Sequence, residues 1–186
     1  MADISAGPDA EPATIAMTRQ LDICSRQTGR TYRIQIALPL SPAATVDGYP
    51  TIYVIDGDIH FAPAQAAARL RSFAGEIEPA VVVGIGYPEA EHNLLAALER
   101  RNVDLTPARG IDALKTLVSR QLNGLNADEF GGADSFLEMI ETEIKPCVGR
   151  FAAVARGRDI LGGHSLGGLF TLYALFTRPG TFATYI

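Results

Sequence analysis

The segment that most restricts how this chain can fold is Gly163-His164-Ser165-Leu166-Gly167. It lies between a short apolar run, Asp159-Ile160-Leu161-Gly162-Gly163, and an apolar stretch from Leu166 to Thr177 that Pro179-Gly180 brings to a stop. The run before it reads as a strand, the stretch after it as a helix, and the pentapeptide as the sharp turn between them. A serine held in such a turn needs neighbours without side chains two residues away on both sides, because a Cβ there would collide with crowded backbone. Gly163 and Gly167 meet that need, with His164 at the variable position. The turn also sets Ser165 at a helix N-terminus, where unpaired N–H groups favour a developing negative charge. The Leu166 N–H can then form half of an oxyanion hole. Ser165 is the candidate nucleophile.

The rest of the chain supplies a matching frame. Residues 15–23 and 32–38 alternate, with Tyr32, Ile34, Ile36 and Leu38 on one face, and the turn from Ser25 to Gly29 makes them an antiparallel pair. Thr51-Ile52-Tyr53-Val54-Ile55 and Ala80-Val81-Val82-Val83-Gly84-Ile85-Gly86 are wholly apolar runs of the kind buried in parallel sheets. A helix over Phe61 to Ala74 joins them, which implies a right-handed crossover. From Tyr87 to Gly132 the chain reads as polar and irregular around a helix at Ile111 to Leu122. Ser135 to Val148 then has the 3.6-residue period of an amphipathic helix. Residues 1–14 read as a frayed, polar lead and residues 15–186 as a single domain.

Composition removes several functions. Sixteen Lys and Arg against twenty-one Asp and Glu give a net charge of −5, with no polybasic stretch, so a nucleic acid partner is not expected. No run of eighteen apolar residues occurs, and Met1 to Thr14 mixes acids with Ala and Pro. The expectation is a soluble, unexported, cytoplasmic protein without a membrane partner. Two cysteines, Cys24 and Cys147, make no disulfide framework, and His60, His92 and His164 have no metal-binding spacing. Neither a metal nor another cofactor is expected.

Several short motifs, in order, resemble the putative-esterase branch of the α/β hydrolases, closest to its enterobactin-type siderophore esterases and related to the S-formylglutathione hydrolases. They are Arg30-Thr31-Tyr32-Arg33-Ile34, Tyr53-Val54-Ile55-Asp56-Gly57-Asp58, Val83-Gly84-Ile85-Gly86-Tyr87-Pro88, Arg100-Arg101-Asn102-Val103-Asp104-Leu105-Thr106-Pro107, Gly131-Gly132-Ala133-Asp134 and Gly162-Gly163-His164-Ser165-Leu166-Gly167-Gly168. The resemblance implies an α/β three-layer sandwich, with a mostly parallel central sheet and an N-terminal antiparallel hairpin. It implies a serine esterase acting on a small-molecule ester, and a second oxyanion donor at the backbone N–H of Asp58 or Ile59. It also implies that Arg100 and Arg101, in a loop at the mouth of the site, hold an anionic or catecholate acyl group. Against that stands a purely anchoring role, in pairs with Asp104 or a carbonyl. Asp56 and Asp58 invite an acid-base or metal reading, but such carboxylates more often bond nearby backbone N–H groups.

In this family the triad runs Ser, then Asp or Glu, then His. The 21 residues after Ser165 contain none of these acids and no histidine. The expectation is an N-terminal portion of the domain with its C-terminal strands missing. The Ser165 strand would then lie at an open sheet edge through which copies could associate. On this reading the 186-residue chain alone is weak or inactive. An acyltransferase on the same fold, or a non-catalytic binding module, are the alternatives.

Overall fold

The computed structural model describes residues 13–108 and 130–186. Its sheet has six strands: β1 (Thr18–Cys24), β2 (Thr31–Ala37), β3 (Tyr49–Ile55), β4 (Val81–Gly86), β5 (Val154–Gly162) and β6 (Thr184–Tyr185). Their spatial order is β1-β2-β4-β3-β5-β6. The pairs β1–β2 and β2–β4 are antiparallel, and β3–β4, β3–β5 and β5–β6 are parallel. Among the described residues the α-helices are α1 (Gly57–Phe73), α2 (Leu94–Asp104), α3 (Ala133–Met139), α4 (Lys145–Val148) and α5 (Leu166–Thr177).

The alternation in β2 and β4 divides the core into two layers. Tyr32, Ile34, Ile36, Val81, Val83 and Ile85 face the side covered by Phe136 and Leu137 of α3 and Phe170 of α5. Ala37 and Val82 face the other side, under Phe61 and Ala68 of α1. Cover on both faces is why every residue of β4 is buried. A chain of ring contacts, Tyr32 to Phe136 at 5.5 Å and Phe136 to Phe170 at 5.1 Å between centroids, ties the sheet through α3 to α5. These edge and tilted contacts fix the helix that begins at the candidate nucleophile.

Four sequence expectations change. First, α1 starts at Gly57, not Phe61, because Asp56 takes the left-handed conformation (φ 55°, ψ 52°) and turns the chain within one residue. A Cβ on Gly57 would stand 2.7 Å from the Gly84 backbone, so only glycine lets the helix start against β4. Second, Arg100 and Arg101 lie on helix α2, not in a loop. The Asn93 side chain caps that helix by accepting from the Ala96 N–H at 3.1 Å. Third, the amphipathic helix is interrupted by a π-helical turn, Ile140–Ile144. Pro146 lacks the N–H that would bond the Thr142 carbonyl, which accounts for the wider turn ahead of it.

Fourth, β5 is not the sheet edge. It runs from Val154 to Gly162, and β6 pairs with it at Ile160↔Thr184 and Leu161↔Tyr185. The Gly163 N–H donates to the Ile186 carbonyl at 3.1 Å, and the Ile186 N–H to the Leu161 carbonyl at 2.9 Å. The end of β5 that carries the serine is therefore covered. The helix expected over Ile111 to Leu122 and most of the frayed lead lie outside the described residues. Among the described residues, no helix is long and apolar enough to cross a membrane.

Candidate active site

At the end of β5 the chain passes through Gly163 and His164 to Ser165, the N-cap of α5. Ser165 has φ 57° and ψ −116°. A non-glycine residue reaches that region only where its surroundings over-determine it. Here a Cβ on Gly163 would lie 2.2 Å from the Gly167 carbonyl oxygen, so the turn closes only with glycine. The Gly167 N–H donates to the His164 carbonyl at 2.9 Å, and the Leu169 N–H to the Ser165 carbonyl at 3.0 Å. Thr171 Oγ1 donates to the Gly167 carbonyl at 2.9 Å and pins the first turn of α5. His164 and Ser165 are exposed. Among the described residues the Leu166 N–H has no backbone carbonyl partner, which leaves it free to donate beside Ser165.

The turn between β3 and α1 closes on this elbow. The ring of His60, in the first two turns of α1, stands 5.9 Å from that of His164 in an edge-to-face arrangement. Asp56 Oδ2 lies 3.3 Å from the point a Cβ on Gly167 would occupy. Of the two residues expected to offer an oxyanion donor, Ile59 has its N–H bonded to the Asp56 carbonyl at 3.0 Å. Among the described residues the Asp58 N–H has no backbone carbonyl partner. The Asp58 carboxylate accepts from the Tyr87 N–H at 2.8 Å, the backbone-bonding role that such loop acids usually play. Burial pushes its carboxyl up, against the Tyr87 bond and its own N–H.

The two arginines face carboxylates. Arg101 Nε and Nη2 donate to Asp56 Oδ1 and Oδ2, both at 2.8 Å, with the two side chains 18% and 7% exposed. Arg100 Nη1 donates to Glu89 at 2.7 Å, and its guanidinium stands 5.0 Å from the ring centroids of both Tyr32 and Tyr87. Neither pairs with Asp104, which is buried and bonded to Arg30 at 3.1 Å. Asp56, expected from the sequence to bond nearby backbone N–H groups, instead accepts the Arg101 guanidinium with both carboxylate oxygens.

His92 is exposed beside Glu91. No histidine hydrogen-bonds Ser165 among the described residues, and no group of three or more His, Cys, Asp or Glu there could hold a metal ion. Cys24 is exposed and Cys147 buried, both as free thiols.

The ferri-bacillibactin esterase BesA of Bacillus subtilis is 35% identical over 187 residues, covering 99% of this chain and 62% of that protein. The siderophore triacetylfusarinine C esterase of Aspergillus fumigatus is 37% identical over 163 residues, covering 85% of this chain and 50% of that protein. The chain thus spans between half and two thirds of these relatives' lengths. Among solved structures, the BES protein from Bacillus cereus superposes with a TM-score of 0.77 at 32% identity, covering 96% of this chain and 63% of that one. The siderophore hydrolase EstB from Aspergillus nidulans also gives 0.77, at 30% identity, covering 96% and 57%. The model of the Esterase family, described as "Putative esterase", matches residues 25–185, the span that holds the whole sheet from β2 onward and the Ser165 elbow. The chain belongs to this putative-esterase family and has its α/β-hydrolase type of fold.

Proposed function

We propose that this chain carries the nucleophile and oxyanion machinery of a serine esterase that cleaves siderophore-type esters through an acyl-enzyme on Ser165. The observation that supports it most is the backbone of Ser165, held at φ 57° and ψ −116° between the end of β5 and the start of α5. Strain of that kind is retained where a side chain has to be aimed.

Ser165 Oγ attacks the ester carbonyl carbon as its proton passes to a base. The negative charge on the carbonyl oxygen is met by the Leu166 N–H and, from the β3–α1 turn, the Asp58 N–H. Collapse of the tetrahedral intermediate breaks the C–O bond, and the alcohol leaves with the proton. Water then repeats the sequence on the acyl-enzyme and frees the acid. The relatives extend beyond the matched region, and we assign the base and its orienting acid to that remaining part of the whole protein. One relative is named as an esterase of ferri-bacillibactin and the other as an esterase of the siderophore triacetylfusarinine C.

The test is turnover of a cyclic triester of N-acylated serine by the whole protein, followed by mass spectrometry. The expected product gains one water for each ester cleaved, and Ser165→Ala abolishes it. Transfer of the acyl group to an added alcohol in preference to water would favour an acyltransferase. Unchanged turnover in Ser165→Ala would refute the nucleophile assignment.

A further inference from the structure

Asp56 is the residue on which three parts of the site converge. It is a non-glycine residue in the left-handed region, a conformation that needs outside contacts to hold it. Its carbonyl accepts the N–H groups of Ile59 and His60, both at 3.0 Å, so its orientation sets the first turn of α1. Its Oδ2 sits against Gly167 of the elbow, 3.3 Å from the Cβ point. Both carboxylate oxygens are taken by one guanidinium, Arg101, in a two-bond fork from α2. A fork of this kind fixes orientation as well as distance, which a point charge does not.

We infer that Arg101 is a positioning residue for catalysis: through its paired hydrogen bonds to Asp56 it holds the β3–α1 turn, and with it the second oxyanion donor, in register with the Ser165 elbow. This rests on the esterase reading above. It departs from a direct role for Arg101 in gripping an anionic acyl group, because Nε and Nη2 already face a carboxylate of the protein. Oxyanion donors work only when placed at the developing charge, and an error near 1 Å is enough to lose about 10²-fold in rate. Loosening the fork therefore lowers the rate of chemistry and leaves ground-state binding nearly unchanged.

The experiment uses the whole protein and a neutral, activated short-chain ester, which offers no anion for an arginine to bind. Arg101→Lys keeps the charge and removes the fork, and Asp56→Asn keeps the shape and removes the partner charge. Each is expected to lower kcat about 10- to 100-fold with KM within about twofold. The double variant is expected to be no worse than either single one, since the pair acts as a unit. Should Arg101→Lys fail to fold, Asp56→Asn decides the matter. Full kcat in a folded variant overturns the inference. So does a defect confined to the KM of anionic esters, which would make Arg101 a substrate contact. A wild-type protein with neither turnover nor covalent labelling of Ser165 would instead refute the esterase reading itself.

Discussion

The Asp56 carboxylate stands 3.3 Å from the point where a Cβ on Gly167 would be, while the corresponding point on Gly163 is 2.2 Å from the Gly167 carbonyl oxygen. The two elbow glycines therefore answer differently to one added methyl group. Gly163→Ala meets backbone and cannot relax without opening the turn, so it is expected to cost about 3 kcal/mol or more. Gly167→Ala meets a side chain that can give slightly, and is expected to cost about 1 kcal/mol. Urea unfolding of both variants checks the order. Equal losses would mean that the elbow is not closed by the Gly163–Gly167 contact.

Ser165 itself trades stability for orientation. Glycine populates positive φ freely and alanine does not, so Ser165→Gly should be more stable than Ser165→Ala by about 1 to 2 kcal/mol. Neither should carry out ester cleavage. Thermal unfolding compares the pair directly, and an alanine variant as stable as the glycine one would remove the argument from strain.

Two carboxylates predict opposite responses to pH. Burial pushes the Asp104 carboxyl above its ordinary 3.8, against its Tyr32 and Arg30 partners. Its contribution to stability is whole below that value and is lost as pH rises through the folded-state value. Asp22 is held below 3.8, chiefly by its hydrogen bonds to Arg33. Its contribution is present above 3.8 and is lost as pH falls through the folded-state value. Measured against Asp104→Asn, the wild-type protein should lose ground as pH rises from 3.8. Against Asp22→Asn it should lose ground as pH falls below 3.8. Urea midpoints over that range test both signs.

What the sequence disclosed follows from how local each feature is. The elbow was legible because its requirements lie within five residues, and α5 runs from Leu166 to Thr177 as the apolar stretch and Pro179 indicated. The alternation of Tyr32, Ile34 and Ile36 was equally local, and those residues are fully buried. Helix α2 was missed because Glu99-Arg100-Arg101-Asn102 breaks its apolar period, leaving the Asn93 cap as the remaining cue. The partners of the arginines were beyond reach for another reason. Asp56 and Arg101 are 45 residues apart, and Arg30 and Asp104 are 74 apart. Such pairs exist only once the sheet and helices have brought them together, and a single sequence carries no trace of the choice. Phe182-Ala183-Thr184-Tyr185-Ile186 reads as the approach to a sixth strand, but its pairing with β5 was not legible, because two strand residues are too few to leave a pattern.

The central claim is that Ser165 is the nucleophile of an esterase, and the most direct measurement is covalent labelling with a fluorophosphonate followed by peptide mass spectrometry. It should be run on this chain, on a form extended through the downstream reading frame, and on the Ser165→Ala variant of each. The account predicts a single adduct on the peptide containing Ser165 in the extended form, absent from its alanine variant, with labelling of the 186-residue chain much slower. No adduct in the extended form, or an adduct that survives Ser165→Ala, would contradict it.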